Sequence, residues 1–314
     1  MIEPARVSYA EGMRPWVLTL VLGLAILTGI VTCGEEDKPP LGPTSSGAGA
    51  GGQGAGTTTS TGVAGMGGTG GVGGGTGASE TGGGGTGGNG GTQTLHVLFV
   101  GNSYTSVNDL PGLVRDLSAA PAPTFVVSSV TVGAATLQNH YDTSGAVPAI
   151  QGGGWDAVVL QGQSVEPLYA PTAFQNAALA LDGEIDGVAA ATVFFETWAR
   201  APGHAVYQET WSGGNPTAMQ AGLRAAYQAA ATATSGVMAP VGDAWETSLA
   251  NHPTVALHSG DGSHPTLAGS YLAACVFYLV LSGHQTIPSP APAPPGLSES
   301  DAATLRAVAA ATPW

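Results

Sequence analysis

A segment built from glycine, threonine, serine and alanine, residues 39–93, limits what this chain can fold into. The 50 glycines of the chain are concentrated there, and large apolar side chains are almost absent. Such a segment cannot bury enough apolar surface to offset the backbone entropy that folding costs, so the sequence predicts that it is disordered. The glycines keep no three-residue period, which excludes collagen. Folding is therefore expected in the roughly 200 residues that follow, about the size of one domain.

An uncharged, mostly apolar run at residues 16–32 precedes this segment. Its length is at the lower limit for a membrane-spanning helix and somewhat long for the core of an export signal. The run ends in Ile30-Val31-Thr32-Cys33-Gly34, which resembles a bacterial lipoprotein signal with Cys33 as the lipidated residue. An uncleaved membrane anchor and ordinary secretion are the other interpretations. All three divide the chain into a signal or anchor (1–33) and a flexible linker (34–94), and they predict export with membrane association only through the N-terminus.

Charge and cysteine content restrict the partners. The formal net charge is −14 with only seven Lys and Arg residues, and a chain so poor in cations does not neutralise a run of phosphates, so we expect no nucleic-acid partner. The two cysteines, Cys33 and Cys275, are too few and too far apart for a disulfide framework. Cys275 lies in an apolar helical pattern, where a small buried residue is expected.

Short apolar runs alternate with helical patterns from Leu95 onward. The predicted strands are 95–101, 125–132, 156–161, 191–197 and 237–241, and the predicted helices are 109–120, 171–185, 215–235, 243–250, 266–282 and 300–311. This alternation predicts an α/β fold, a three-layer α/β/α sandwich with a central parallel sheet of about five strands. The predicted domain covers 95–285, and a Pro-rich connector with a C-terminal helix (286–314) is expected to pack on it.

Gly101-Asn102-Ser103 ends the first predicted strand. Ligands of open parallel sheets bind beyond the carboxyl ends of the strands, so this serine is expected at the mouth of the sheet. Glycine permits a sharp turn, and the segment after it can direct backbone N–H groups and a helix dipole at developing negative charge. Taken alone, the pattern fits a helix-capping serine as well.

A second polar cluster, Asp261-Gly262-Ser263-His264-Pro265, precedes the apolar helix predicted from residue 266. An aspartate and a histidine three apart in one tight loop allow the carboxylate to accept from one imidazole nitrogen, which leaves the other to take a serine proton. A capping aspartate beside a surface histidine is the structural alternative. His258, Asp261 and His264 are spaced like a metal cluster, but no further Cys or Glu lies nearby, and we expect no metal.

Together the two clusters resemble the SGNH, or GDSL-like, family of esterases and lipases. Gly101-Asn102-Ser103-Tyr104-Thr105 is similar to the first family block and Asp261-x-x-His264-Pro265 to the last, and the resemblance extends over residues 95–284. It is strongest with a bacterial subgroup that begins with "GNS" and continues as Asn108–Leu113 does here. The resemblance implies the SGNH hydrolase (flavodoxin-like) fold, with Ser103 as nucleophile, His264 as general base, Asp261 as its orienting partner, and no cofactor.

The resemblance also implies an oxyanion hole. Its donors would be the Ser103 N–H, the Gly133 N–H and a third group in the segment Gln161-Gly162-Gln163-Ser164, where the family usually has Gly-x-Asn-Asp. Gln163 carries the same kind of amide as the missing asparagine, and the segment resembles the Gln-Gly-Glu-Ser of acetylesterase-type members. Gln161 and Ser164 stay open as alternatives, and we favour Gln163.

These features predict an exported serine esterase whose substrate is a small-molecule or polysaccharide ester, with carbohydrate-linked acetyl esters as the first expectation. The alternative is an SGNH-fold surface-binding module with weak or no turnover, because the third block lacks its asparagine and the linker resembles those of adhesins. The sequence does not specify an oligomeric state.

Overall fold

The computed structural model describes residues 93–118, 123–288, 291 and 293–314. The predicted export signal, Cys33 and nearly all of the linker therefore lie outside the described residues. None of the helices in the described part combines the length and apolar character needed to cross a membrane.

Five parallel strands form the central sheet. They are β1 Thr94–Gly101, β2 Thr124–Thr131, β3 Ala157–Leu160, β4 Ala191–Phe195 and β5 Val237–Ala239. Their order in the sheet is β2-β1-β3-β4-β5, and every neighbouring pair is parallel. β3 is buried over its whole length, as expected for a strand covered on both faces. The predicted α/β class with about five parallel strands is confirmed.

Ten α-helices lie in the described ranges. They are α1 Ser103–Ser106, α2 Leu110–Asp116, α3 Leu137–Asp142, α4 Ala146–Gln151, α5 Glu166–Tyr169, α6 Pro171–Gly187, α7 Pro216–Thr234, α8 Val241–Asn251, α9 Leu267–Ser282 and α10 Glu299–Ala311. Local sequence explains where the long ones begin. Asn215 caps α7 by accepting from the Ala218 N–H, with Pro216 in the first turn, and Thr266 caps α9 through the Gly269 N–H.

Two apolar cores cover the two faces of the sheet. On one face, α2, α8, α9 and α10 pack around an aromatic cluster in which Phe277 of α9 meets Phe99 and Phe195 edge to face, at centroid distances of 5.5 and 4.9 Å. On the other face, α3, α4, α6 and α7 pack on the sheet, and Phe174 contacts Tyr227 at 5.1 Å. Full burial of one such ring contributes about 1.5–3 kcal/mol. Both layers of the sandwich are thus anchored in apolar cores.

α9 is buried on nearly all sides. α10 covers its outer surface, and Cys275 lies fully buried within it as a free thiol, as the apolar pattern predicted. Burial raises the pKa of this thiol far above its ordinary range, which keeps it protonated and unreactive.

The strand register brings three loops to one edge of the sheet. Gly101 at the end of β1 pairs with Thr131 at the end of β2, and Val100 pairs with Leu160 at the end of β3. The next strand along the chain, β2, lies on one side of β1, and the strand after it, β3, lies on the other side. The crevice between β1 and β3 is therefore the topological switch point, where ligands of such sheets bind.

Candidate active site

The turn after β1 presents Ser103 at the first position of α1. Gly101 is required before it, because a Cβ there would lie only 2.7 Å from the Gln161 Oε1 atom. Asn102 caps α1, and its Oδ1 atom accepts a hydrogen bond from the Tyr104 N–H at 3.1 Å. Ser103 is therefore held, half-buried, at the switch point of the sheet.

A buried pair of amide side chains supports this turn. Asn102 Nδ2 donates to the carbonyl oxygens of Ala135 (3.3 Å) and Gly162 (3.2 Å), which ties the loops after β1, β2 and β3 together. Gln161 Oε1 accepts from the Asn102 N–H at 3.0 Å and from the Thr105 hydroxyl at 2.9 Å, while its Nε2 donates to Asn102 Oδ1 at 2.9 Å. Every polar atom of the Gln161 side chain is engaged beneath the turn, so Gln161 is not available as an oxyanion donor.

Three predicted residues form one hydrogen-bonded line. His264 Nε2 lies 2.9 Å from Ser103 Oγ, and His264 Nδ1 lies 2.5 Å from Asp261 Oδ2. The other oxygen, Asp261 Oδ1, accepts from Ser259 Oγ and from the Ser263 and His264 N–H groups, each at 2.9 Å. The hydrogen bond from His264, followed by the Ser263 N–H, holds the Asp261 pKa well below its ordinary value. The carboxylate is thus ionised and fixes the Nδ1–H tautomer of the imidazole.

His258 does not join this line. It forms an isolated bridge with Pro265, and its Nε2 lies 2.9 Å from the Ala199 carbonyl oxygen. Burial lowers the His258 pKa, so the ring is neutral and donates to that carbonyl. Asp261 and His264 therefore have no third ligand here, and across the described ranges no group of three His, Cys, Asp or Glu residues could hold a metal ion.

A cavity of about 360 Å³ opens beside the serine. Ser103, Gly133, Gln163, Arg200 and His264 are among the residues that line it. The backbone turns sharply after Gly133, because the next residue, Ala134, adopts a left-handed φ of 57°. No described group accepts a hydrogen bond from the N–H of Ser103 or of Gly133, so both donors are free to bind an oxygen in the cavity.

The third block directs Gln163 towards the same cavity. Gln163 Oε1 accepts from the Val165 N–H at 2.9 Å, which orients the amide, and no residue in the described ranges accepts from its Nε2 group. The neighbouring Ser164 also lines the cavity, but its hydroxyl accepts from Arg200 Nη2 at 2.7 Å. Of the three candidates that the sequence left open, only Gln163 combines a free amide N–H with a place on the cavity wall.

Glu166 links two of the loops that carry these donors. Its buried Oε2 atom accepts from the Gln163 N–H and from the Leu137 N–H, both at 3.1 Å. Burial raises its pKa, while the two N–H groups act in the opposite direction. Sequence reasoning missed this residue, because a glutamate at the start of a four-residue helix gives no signal of its backbone partners.

The loop after β4 supplies a part of the site that the sequence did not indicate. Tyr104 stacks on Trp198 at 4.3 Å, and Trp198 stacks on Trp245 at 3.8 Å. The Tyr104 hydroxyl lies 2.9 Å from Ser263 Oγ, and Arg200 donates to the same hydroxyl. This stack and its hydrogen bonds join the segment after Ser103 to the segment before His264. One available signal was an arginine in a folded region that has few cations.

Comparison with solved structures identifies proteins with a similar fold. A candidate SGNH hydrolase from Slackia heliotrinireducens matches 60% of this chain and 100% of its own, at 27% identity and a TM-score of 0.53. A DUF4886 family protein from Bacteroides uniformis matches 69% of this chain and 94% of its own, at 18% identity and a TM-score of 0.58. No protein-family model matches the chain, and no curated protein sequence matches it.

These matches support the same fold class as the five-stranded parallel sheet with helices on both faces. The fold predicted from the Gly101-Asn102-Ser103 and Asp261-x-x-His264 clusters is confirmed, and the first match covers the whole of the other chain. The described part of this protein has the SGNH hydrolase fold.

Proposed function

We propose that this protein is a serine esterase that hydrolyses carboxylic esters through a Ser103 acyl-enzyme. The observation that carries the proposal is the line from Asp261 through His264 to Ser103, with distances of 2.5 and 2.9 Å, beside a cavity with free backbone donors. A serine is activated when an imidazole takes its proton and a carboxylate orients that imidazole.

The steps follow from these positions. Ser103 Oγ attacks the ester carbonyl carbon while His264 Nε2 takes the hydroxyl proton. The N–H groups of Ser103 and Gly133 and the Gln163 amide bind the resulting oxyanion. The intermediate collapses, the ester C–O bond breaks, and the leaving alcohol takes the proton from His264. A water molecule then attacks the acyl-enzyme with His264 again as base, which releases the acid and restores Ser103.

Carbohydrate-linked acetyl esters are the proposed substrates. The Gln161-Gly162-Gln163-Ser164 segment resembles that of acetylesterase-type members, and a cavity of about 360 Å³ has room for a small acyl group and part of an alcohol. We further propose that the protein is exported and held at the cell envelope through Cys33. Globomycin-sensitive processing of the precursor would support lipidation, and processing unchanged by globomycin would contradict it.

Steady-state hydrolysis of p-nitrophenyl acetate by the full chain tests the esterase proposal. We expect Ser103→Ala and His264→Ala to lower kcat by about 10³-fold or more. Ser106→Ala and His252→Ala are matched controls outside the cavity, and both are expected to keep wild-type kcat. A wild-type protein no faster than the Ser103 variant on several acyl esters would refute the esterase and favour the alternative, a binding module with the same fold.

A further inference from the structure

Arg200 is a buried cation without a carboxylate partner. Its exposed fraction is 7%, although an unpaired charge is costly to remove from water. The other arginines of the described ranges all pair with acids, as Arg115 with Asp116, Arg224 with Asp243 and Glu246, and Arg306 with Glu299. In a chain with a formal charge of −14, acidic partners are plentiful. Among the described residues, no carboxylate pairs with Arg200, although acidic side chains are common in this chain.

Neutral oxygen atoms hold the guanidinium in place. Nη1 donates to the Tyr104 hydroxyl, Nη2 donates to Ser164 Oγ at 2.7 Å, and the guanidinium carbon lies 5.6 Å from the centre of the Tyr104 ring. A guanidinium has five N–H donors in a rigid fork, and within the described ranges only these two side-chain atoms accept from it. The guanidinium is thus held in one orientation, while most of its N–H groups have no acceptor among the described residues.

Arg200 lines the catalytic cavity, and it also lines a second cavity of about 420 Å³. Arg200 lines the same cavity as Ser103 and His264, and no aspartate or glutamate is among the lining residues. Tyr104, the residue after the serine, connects Arg200 to Ser263, the residue before the histidine. The cavity therefore carries a fixed positive charge beside the proposed nucleophile.

We propose that Arg200 forms a carboxylate-binding subsite in this cavity and that the preferred ester carries a carboxylate near the bond that is cleaved. A planar carboxylate matches the guanidinium fork, and such charge-assisted pairs are stronger than neutral hydrogen bonds. The inference rests on the proposed esterase function and narrows its substrate class. The carboxylate can belong to the acyl group, as in a half-ester of a dicarboxylic acid, or to the alcohol, as in an acetylated acidic sugar.

Paired esters distinguish the two sources. For the acyl side we compare p-nitrophenyl hemisuccinate with p-nitrophenyl butyrate, and for the alcohol side 4-acetoxybenzoate with 4-acetoxybenzamide, with uncatalysed rates subtracted. In Arg200→Gln, kcat/KM for the charged ester of one pair should fall about 10- to 100-fold further than for its neutral counterpart, as expected when a charge-assisted pair is lost. In Arg200→Lys the further fall should be about tenfold, because lysine keeps the charge but not the bidentate fork. Equal losses within both pairs would overturn the subsite.

Arg306→Lys is the matched control, because Arg306 also donates to a tyrosine hydroxyl, that of Tyr271 at 3.0 Å. It should leave the charged-to-neutral ratio unchanged, and a similar change of ratio in Arg306→Lys would count against a role specific to Arg200. Melting curves by circular dichroism show whether each variant folds. Arg200→Lys keeps the charge, so it provides the ratio even if Arg200→Gln does not fold.

Calorimetric titration of succinate and of galacturonate into Ser103→Ala separates the subsite from the esterase. We expect one of them to bind and the double variant Ser103→Ala/Arg200→Lys to bind it at least about tenfold more weakly. Such binding by a protein that cleaves no ester would refute the esterase and retain the subsite. Cleavage of neutral esters with no binding of either anion would refute the subsite and retain the esterase.

Discussion

The two oxygen atoms of Asp261 have different partners, and Asp261→Asn separates their contributions. Oδ1 accepts from three donors of its own loop, whereas His264 Nδ1 is the only donor to Oδ2 among the residues that the structure describes. The amide of asparagine keeps an oxygen for the loop but places an NH₂ group against the imidazole. Nδ1 must then accept, the ring proton moves to Nε2, and that nitrogen can no longer take the Ser103 proton.

The exposure of the pair sets the size of the effect. The side chains of His264 and Asp261 are 40% and 49% exposed, so water screens the carboxylate. At an effective dielectric constant between 20 and 80, a charge pair about 4 Å apart contributes about 1–4 kcal/mol to the imidazolium that forms during attack. Because Asp261→Asn loses this charge pair and also favours the wrong tautomer, we expect kcat to fall about 10²- to 10³-fold. This is less than the ~10⁴-fold loss for a buried aspartate in a serine protease.

Stopped-flow hydrolysis of p-nitrophenyl acetate at saturating substrate measures this loss, with Asp186→Asn on the surface of α6 as the control. Asp261→Ala removes the loop hydrogen bonds as well, so it should also lower the melting temperature, while Asp261→Asn should melt close to the wild type. A kcat for Asp261→Asn within threefold of the wild type would refute the orienting role.

Three further predictions concern the supporting residues. Gln163→Ala should lower kcat by about 10²-fold, since one oxyanion donor is lost, with little change in melting temperature; unchanged kcat would remove Gln163 from the oxyanion hole. Gln161→Ala should instead destabilise the fold by about 2–4 kcal/mol, because buried groups of Asn102 and Thr105 lose their partner; denaturant unfolding that matches the wild type would contradict this. Burial, followed by the charge of Asp243, raises the pKa of Glu196 from an ordinary 4.5 to about 9. The unfolded chain releases this proton above about pH 4.5 and the folded protein retains it, so stability should decline between about pH 4.5 and 9 by up to about 1.4 kcal/mol per pH unit. Glu196→Gln should lack that decline in thermal melts, and parallel pH curves for the two proteins would contradict the shift.

The long elements were predictable because their patterns are local. The strand predicted at 191–197 corresponds to β4 (Ala191–Phe195), and the helix predicted at 266–282 corresponds to α9 (Leu267–Ser282). Short helices such as α3 and α5 were missed, because four to six residues do not establish a helical period. For α3, the Thr136 and Asn139 capping pair was the available signal. The helix predicted at 109–120 ends earlier, at Asp116.

The site was predictable where one segment carries its own chemistry. Ser103, Asp261 and His264 lie in two short clusters whose spacing indicates their roles, and the structure brings them within hydrogen-bonding distance. The choice between Gln161 and Gln163 was not predictable, because residues two apart share a face only in a regular strand. β3 ends at Leu160, and the sequence does not reveal how the chain turns after it. Tertiary packing places Gln161 under the Asn102 turn and Gln163 on the cavity wall.

Arg200 shows the other limit of sequence reasoning. It lies in the loop after β4, far along the chain from Tyr104 and Ser164, the two side chains that hold it. No local pattern identifies partners so distant in sequence. Its significance follows only from burial without a carboxylate, which is a property of the folded chain.

If Ser103 is the nucleophile, a fluorophosphonate probe should modify it, and peptide mapping after the reaction locates the adduct. We expect one adduct per chain, on Ser103, that is lost in Ser103→Ala and strongly slowed in His264→Ala. An adduct on another residue, or labelling that persists at the wild-type rate in Ser103→Ala, would contradict Ser103 as the nucleophile.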